Sequence, residues 1–262
     1  MARSGAARDF DSRSGRGGRL NFTEAYLLIP VALFASTLAG ALGLGGGVLL
    51  ITLMPGFIPP GAILPLHAVT QLSSNVSRAG FGWRYIDSTL IIPLALGSAL
   101  GAIGGAGIYQ RISVEWLPAV IGAVVLLVLW APLPRPKGSG VFALTLLGFY
   151  QTGLGMLAGA TGPLGAAVLS RYNTQRDWLV VNTSVYMTMN HLFRIGIFLL
   201  MGFAMGPWLP LLLGMVCASV LGSWLGTRLR AYVPQANFER WFRFAVSLLA
   251  LRMIAISLLD TV

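Results

Sequence analysis

Residues 40–50 read GALGLGGGVLL and residues 158–169 read AGATGPLGAAVL, so glycines interrupt two long apolar stretches of this chain. The stretches run over 24–54 and 141–170. Each is too long for one straight membrane crossing, because a helix needs only about 20 apolar residues to span the hydrocarbon. Glycine allows the backbone to leave helical geometry. We therefore predict that each stretch is one crossing followed by a broken or re-entrant segment.

The composition is that of a membrane protein. Hydrophobic residues make up 56% of the 262 residues and charged residues only 10%, whereas soluble domains carry roughly 25% charged residues. This excludes a soluble enzyme, a secreted disulfide scaffold and a disordered protein. We predict an all-α membrane protein, a polytopic helical bundle. Besides the two broken stretches it has six apolar segments of single-crossing length, at 62–83, 88–109, 114–131, 178–202, 207–227 and 238–258.

The two halves of the chain resemble each other at a spacing of 116 residues, which becomes 117 further on, where Gly97 matches Gly214. Gly43 corresponds to Gly159, and 159 − 43 is 116; Arg78 corresponds to Arg194, and 194 − 78 is also 116. This predicts two homologous halves, each with one glycine-broken segment. The predicted organisation is a disordered N-terminal tail at 1–21, a first transmembrane repeat at 22–131, a linker at 132–140 and a second repeat at 141–262.

Positive charge in this chain indicates membrane topology rather than nucleic acid. The net charge is +10, from 18 basic and 8 acidic residues. The basic residues lie mostly at segment ends or in the arginine-rich tail, where they help to set topology. We predict contact with the lipid bilayer and no nucleic acid partner. Cys217 is the single cysteine, so an internal disulfide and a cysteine-based zinc cluster are excluded.

The acidic residues exclude most catalytic chemistry. All eight fall in the tail, in a connector or near a segment end, and no HExxH, DxD or GxSxG motif occurs. We therefore predict no enzyme activity and no cofactor. We also predict no metal site, because the two histidines have no further ligands nearby. His67 is expected to cap or line a vestibule. For His191 two roles stay open, a structural one and one in which it takes a proton or binds the substrate.

Two arginines lie inside apolar helices. An arginine at the bilayer centre costs about 2.5–3.5 kcal/mol on insertion scales and normally has a partner. Arg78 and Arg194 have no acidic side chain at a similar depth, so the missing counter-charge could be a substrate anion. The alternatives are bonding to other helices and snorkelling to the interface. The polar side chains that share these helix faces are further candidate ligands: Gln71, Ser74, Asn75, Asn190 and His191.

The glycine breaks supply the other half of a predicted anion site. A half-helix that restarts at a break points its N–H groups and its positive dipole end at a cavity. Such discontinuous helices, placed symmetrically, are typical of transporter sites. The alternative is close helix packing through small residues. The candidate backbone ligands are Gly45, Gly46 and Gly47 in the first half, and Thr161 and Gly162 in the second.

These motifs resemble a known family. The GLGGGVLL run, the polar helix ending SSNVSR and the second break GATGPLGAAVL are similar to the sulfite exporter TauE/SafE family, over roughly residues 24–258. The resemblance implies a prokaryotic multi-pass inner-membrane transporter of sulfite, sulfoacetate or other sulfur-containing or organic anions. It implies a duplicated helical bundle without enzyme activity. Family members often repeat a glycine triplet in the second half, where this chain has Ala160, Thr161, Gly162 and Pro163.

The sequence therefore predicts a secondary transporter of sulfur-containing anions such as sulfite or sulfonates. In this hypothesis Arg78 and Arg194 together neutralise the anion near a pseudo-symmetry axis, and the two halves rock to give alternating access. An anion channel and a membrane anchor or sensor that only binds a partner remain alternatives. A homo-oligomer also stays open, because the small-residue face of Gly97, Gly101 and Gly105 could pack within or between subunits.

Overall fold

The computed structural model describes residues 22–43, 45–130, 140–233 and 238–259, with the side chains of 22, 23 and 238–241 excepted. The predicted disordered tail at 1–21 and the predicted linker up to residue 139 lie outside the described residues. Within them the chain forms α-helices and short 3₁₀ turns, and no strand. The structure therefore confirms the predicted all-α class.

Eleven α-helices follow one another along the described ranges. They are α1 Phe22–Ala25, α2 Leu28–Leu42, α3 Gly46–Leu53, α4 Pro60–Phe81, α5 Ile91–Tyr109, α6 Leu117–Trp130, α7 Val141–Ala158, α8 Gly162–Leu169, α9 Arg176–Leu200, α10 Leu209–Leu229 and α11 Phe238–Leu259. Single 3₁₀ turns at Trp83–Tyr85, Ser88–Leu90, Val114–Trp116 and Gly206–Trp208 precede some of them.

Four helical segments are long and apolar enough to cross a membrane: Ser88–Tyr109, Val141–Ala158, Gly206–Leu229 and Phe242–Leu259. Two shorter apolar helices, Leu28–Leu42 and Val114–Trp130, accompany them. Helices α4 and α9, with 22 and 25 residues, are as long as the spanning helices but more polar. Since a helix rises 1.5 Å per residue, both have the length of a crossing, and neighbouring helices shield their polar faces.

Both long apolar stretches are broken where the sequence predicts it. Helix α2 ends at Leu42, and Gly43 and Gly45 follow with φ of 86° and 94° before α3 starts at Gly46. Helix α7 ends at Ala158, and Gly159 has φ of 75°. Side-chain-bearing residues rarely adopt such positive φ values, so glycine is what permits each break.

The helix starts recur at the spacing of the sequence repeat. Helices α3 and α8 begin at Gly46 and Gly162, and α4 and α9 at Pro60 and Arg176, each pair 116 residues apart. The duplication itself stays a prediction, to which this equal spacing adds support.

Helices from the two halves of the chain interleave. Helix α2 packs along α10, α5 along α7, α4 along α9, and α6 along α11. Glycines permit the closest approaches: a β-carbon on Gly97 or Gly101 would clash with the backbone of α7, and one on Gly40 with Gly226 of α10. Small residues commonly let membrane helices approach in this way. The Gly97, Gly101 and Gly105 face thus packs within the chain, against α7.

Arginines hold the carbonyl end of α2. Arg230 donates from Nε to the Gly40 carbonyl at 2.9 Å and from Nη1 to Asp177 at 2.7 Å. Arg176 donates from Nη2 to the Ala41 carbonyl at 2.7 Å and from Nη1 to the Arg230 carbonyl at 2.9 Å. The last carbonyls of a helix have no partner in the helix and carry its negative dipole end, so the guanidinium groups tie the end of α2 to α9 and α10.

Replacement of Arg230 is expected to destabilise the protein. Arg230→Ala removes two charge-assisted hydrogen bonds from a side chain that is 6% exposed, and a hydrogen bond to a charged group contributes about 1.5–3 kcal/mol. We expect a loss of about 2 kcal/mol, measured as a lower unfolding temperature in detergent. Arg228→Ala is the matched control, because Arg228 is exposed and stacks on Trp224. Equal effects of both variants would contradict a clamping role for Arg230.

Candidate functional site

A cavity lies where both glycine breaks meet the polar faces of α4 and α9. Its volume is about 40 Å³. The breaks and the end of α2 contribute Ala39, Gly43, Gly45, Gly46, Gly47, Val48, Gly159, Ala160, Gly162 and Pro163 to the lining. The two polar helices contribute His67, Gln71, Asn75, Arg78, Thr183, Ser184, Met187 and His191.

The lining repeats between the halves. On each polar helix three lining residues lie four apart, and therefore on one face of the helix. Corresponding members of the two sets are 116 residues apart, as are the two glycine breaks. They are His67, Gln71 and Asn75 on α4, and Thr183, Met187 and His191 on α9.

Arg78 brings a positive charge to the cavity wall. Its side chain is 6% exposed, so the guanidinium does not reach out of the protein. Nε donates to Ser184 Oγ at 3.1 Å, and Nη2 donates to Asn75 Oδ1. Nη1 is buried without a hydrogen-bond partner among the described residues, and no carboxylate there pairs with this arginine. The cation is thus oriented by neutral groups and keeps one nitrogen free.

Two further buried groups of the lining that can donate hydrogen bonds also have no partner among the described residues. They are Gln71 Nε2 and Thr183 Oγ1, on side chains that are 3% and 5% exposed. A buried polar group without a partner costs about 1–3 kcal/mol, and native proteins tolerate few of them. An amide nitrogen and a hydroxyl can both donate. Together with Arg78 Nη1, the wall presents three donors without acceptors.

The first glycine break adds backbone donors. Gly45 is the N-cap of α3 and no side chain caps this helix, so the first N–H groups of α3 lack acceptors within the helix. Gly46 and Gly47 lie in that first turn and line the cavity. The positive dipole end of α3 therefore points at the same space as Arg78.

The second break offers fewer donors. Helix α8 starts at Gly162, which lines the cavity, but Pro163 has no N–H group. Thr161 is absent from the lining, and its hydroxyl donates to the Gln151 carbonyl at 3.2 Å. The two breaks are therefore unequal.

Arg194 lies behind the cavity wall. Its side chain is 0% exposed, and Nη1 donates to the Gly159 carbonyl at 2.9 Å and to His191 Nδ1 at 3.2 Å. Nε and Nη2 are buried without partners among the described residues. His191 lines the cavity but Arg194 does not. The two arginines, equal in the sequence prediction, thus occupy different positions relative to the cavity.

Two other predicted ligands also lie outside the lining. Ser74 Oγ is 3.1 Å from Ser223 Oγ, so it joins α4 to α10. Asn190 Nδ2 donates to Thr152 Oγ1 at 3.1 Å, which joins α9 to α7. The predicted residues that line the cavity are Arg78, Gln71, Asn75, His191, Gly45, Gly46, Gly47 and Gly162.

The family model for the sulfite exporter TauE/SafE family matches residues 28–253. The chain belongs to this family. The match covers the cavity and every helix from α2 to α10, with most of α11. A search of curated proteins and a search of solved structures each found no match. This TauE/SafE protein is therefore a multi-pass membrane protein of a family of transporters for sulfite-like anions.

Sequence reasoning missed part of the lining in this TauE/SafE protein. His67 was expected to cap or line a vestibule, yet it is 0% exposed and lines the cavity. Its Nε2 donates to the Gly47 carbonyl at 2.9 Å. The usable signal was its position four residues before Gln71 on the same helix face. Ser184, which receives the Arg78 hydrogen bond, gave no such signal, because its role depends on how α9 meets α4.

The groups that line the cavity do not suit a metal ion. In the part of the chain that the structure describes, no three residues of the types His, Cys, Asp and Glu cluster to hold one. Apart from His67 Nδ1, the unpaired side-chain groups of the described lining can all donate hydrogen bonds, whereas a metal ion needs several lone pairs. Guanidinium groups and helix N-termini are groups that commonly bind anions.

Proposed function

We propose that this protein is a secondary transporter that binds a small sulfur oxyanion, such as sulfite, in the cavity between its two glycine breaks. The observation that carries the proposal is the Arg78 guanidinium, buried at the cavity wall with a free Nη1 and without a paired carboxylate. The TauE/SafE membership supports the same class of substrate. We further propose that it works in the inner membrane of a prokaryotic cell.

An anion would provide acceptors for the buried donors that have no partner within the described protein. Burying a charge without a partner is expensive, and a buried arginine in a membrane protein normally has one. The oxygens of a sulfur oxyanion can accept from Arg78 Nη1, from Gln71 Nε2 and from Thr183 Oγ1. The N–H groups of Gly46 and Gly47 add the dipole end of α3.

The remaining candidate side chains contribute to this site indirectly. Arg194 adds positive potential and orients His191 through Nδ1. Asn75 orients Arg78, while Ser74, Asn190 and Thr161 join the surrounding helices. We therefore assign direct contact to Arg78 and an indirect, electrostatic contribution to Arg194.

The cavity favours a small substrate. Its volume is about 40 Å³, and one water needs about 10–15 Å³ on this measure, so it holds about three waters. Sulfite, with four non-hydrogen atoms, is of this size. A sulfonate with an organic tail, such as sulfoacetate, requires the cavity to widen. We propose sulfite as the better substrate of the two.

The arrangement of the breaks supports alternating access. In transporters with internal repeats, the site lies at discontinuous helices and access alternates when one repeat moves against the other. Here the two breaks, 116 residues apart, meet at one cavity. We propose that access alternates as helices next to the breaks move, with the positive-φ glycines as flexible points. Because the halves 22–131 and 141–262 interleave, they do not rock as two separate bodies.

Sulfite flux into proteoliposomes tests this function. We expect saturable uptake, and faster uptake of labelled sulfite when unlabelled sulfite is present inside, because a transporter exchanges one bound anion per cycle. Sulfoacetate is expected to compete weakly. Large single-channel currents without saturation would favour an anion channel instead. Sulfite binding without flux would favour a binding or sensor protein.

A further inference from the structure

We propose that His67 is the proton carrier of this transporter, taking up one proton at Nδ1 when the anion binds and releasing it when the anion leaves. The inference rests on the proposed function, since it requires an anion in the cavity. It adds a coupling ion and names the atom that binds it.

The hydrogen bonding of His67 fixes which ring nitrogen is free. Its Nε2 lies 2.9 Å from the Gly47 carbonyl oxygen, and a carbonyl only accepts, so Nε2 carries a proton. In the neutral ring Nδ1 then bears the lone pair. Nδ1 is buried and has no hydrogen-bond partner among the described residues. It lies 3.2 Å from where a β-carbon of Gly159 would stand, at the other glycine break.

His191, the second histidine of the cavity, has no comparable free lone pair. Its ring lies edge-on to His67, with centroids 5.8 Å apart. Its Nδ1 lies 3.2 Å from Arg194 Nη1, and a guanidinium only donates, so the lone pair of Nδ1 is already engaged. Protonation there would first break the bond to Arg194. Among the described lining residues, His67 Nδ1 is therefore the available proton acceptor.

The charged groups near His67 are positive. From α9 it faces the His191 ring and the Arg194 guanidinium, and Arg78 lies further along its own helix. Helices α2, α3, α6 and α8 carry no acidic or basic side chain, and α7 carries only the phenol of Tyr150. On α5, Tyr109 packs against Phe198. Tyr186 on α9 and Arg230 after α10 are also buried, and the charge of Arg230 acts on Arg78. Glu115, Cys217 and Arg228 are exposed at the protein surface.

An anion reverses this balance. An opposite charge within about 4–6 Å favours the charged form of a group, and a like charge disfavours it. A sulfite dianion brings two negative charges to a described lining in which Arg78 is the one arginine, since Arg194 lies behind the wall on Gly159 and His191. A proton on His67 Nδ1 supplies a further positive charge within the lining itself. The anion and proton leave together, and His67 returns to its neutral form with Nε2 still bonded to Gly47.

The test compares His67→Gln with the wild-type protein. A glutamine amide can donate to the Gly47 carbonyl from nearly the same place as Nε2, but it does not titrate. With the membrane potential clamped and a gradient of one pH unit, coupling to one proton predicts about tenfold sulfite accumulation in wild-type proteoliposomes. We expect His67→Gln to move sulfite only to equal concentrations. Tyr150→Phe, which removes the phenol of a residue outside the cavity lining, should still accumulate it.

A second measurement does not depend on flux. Adding sulfite to detergent-solubilised protein in weak buffer should bind about one proton more per site in the wild type than in His67→Gln, read with a pH dye. Equal proton uptake by the two proteins, or equal accumulation, would overturn the inference and point to bisulfite as the proton carrier. Wild-type protein that neither binds nor transports sulfite would instead contradict the proposed function, and this inference with it.

Discussion

Arg78→Ala is expected to lower the rate of sulfite transport at limiting substrate by about 30-fold or more. The structure gives this arginine a buried guanidinium at the cavity wall, oriented by Ser184 and Asn75, with Nη1 unpaired. Truncating one partner of a buried, hydrogen-bonded charge pair costs about 2–5 kcal/mol, and 1.4 kcal/mol is a factor of ten. Initial rates of sulfite uptake over a concentration series measure the loss.

The controls for this prediction separate binding from folding. Arg111→Ala removes an exposed arginine from the connector after α5 and should keep wild-type rates. Arg78→Lys keeps the charge but loses the planar fork, so an intermediate rate is expected. Arg78→Ala protein that unfolds at the wild-type temperature and still transports sulfite at the wild-type rate would exclude Arg78 as a substrate ligand.

Arg194→Ala should lower the stability of the protein as well as its transport rate, unlike Arg78→Ala. Arg194 holds the Gly159 carbonyl and His191 from behind the wall, so its loss should lower the unfolding temperature as well as transport. If both variants instead lost transport equally with unchanged stability, the two arginines would act as equal ligands, as the sequence alone suggests.

Gly46→Ala is expected to prevent correct folding, whereas Gly162→Ala is tolerated. The two glycines occupy the first position of α3 and α8, 116 residues apart. A β-carbon on Gly46 would clash with the Ala35 carbonyl and lie 2.8 Å from the Ala39 β-carbon. On Gly162 it would meet nothing within 4 Å. Overpacking costs about 1–3 kcal/mol and occasionally more, and a backbone carbonyl cannot turn aside as a side chain can.

The yield of monodisperse protein and its unfolding temperature measure this contrast. Gly46→Ala should lose most of the folded protein, while Gly162→Ala should unfold close to the wild-type temperature, because its β-carbon meets nothing within 4 Å. Neither glycine has a positive φ, so the comparison isolates packing. Equal stability of the two variants would show that α3 does not pack against α2 as described.

The sequence by itself determined the class of the protein, the position of both helix breaks and the presence of buried cations. These are local properties. Apolar segment length and scarce charge predict membrane helices, glycine runs predict the breaks, and an arginine within an apolar segment is visible without a structure. The face shared by Gln71, Asn75 and Arg78 also followed from helical periodicity alone.

Only the tertiary structure decided which of these groups share the cavity. Arg78 and Arg194 are equivalent in the sequence repeat, yet Arg194 binds the Gly159 carbonyl and lies behind His191. Likewise Thr161 and Ser74 turn to Gln151 and Ser223. Periodicity gives the direction of a side chain around its own helix. Which acceptor it meets depends on how closely neighbouring helices approach, and that is determined by glycine contacts between segments far apart in the chain.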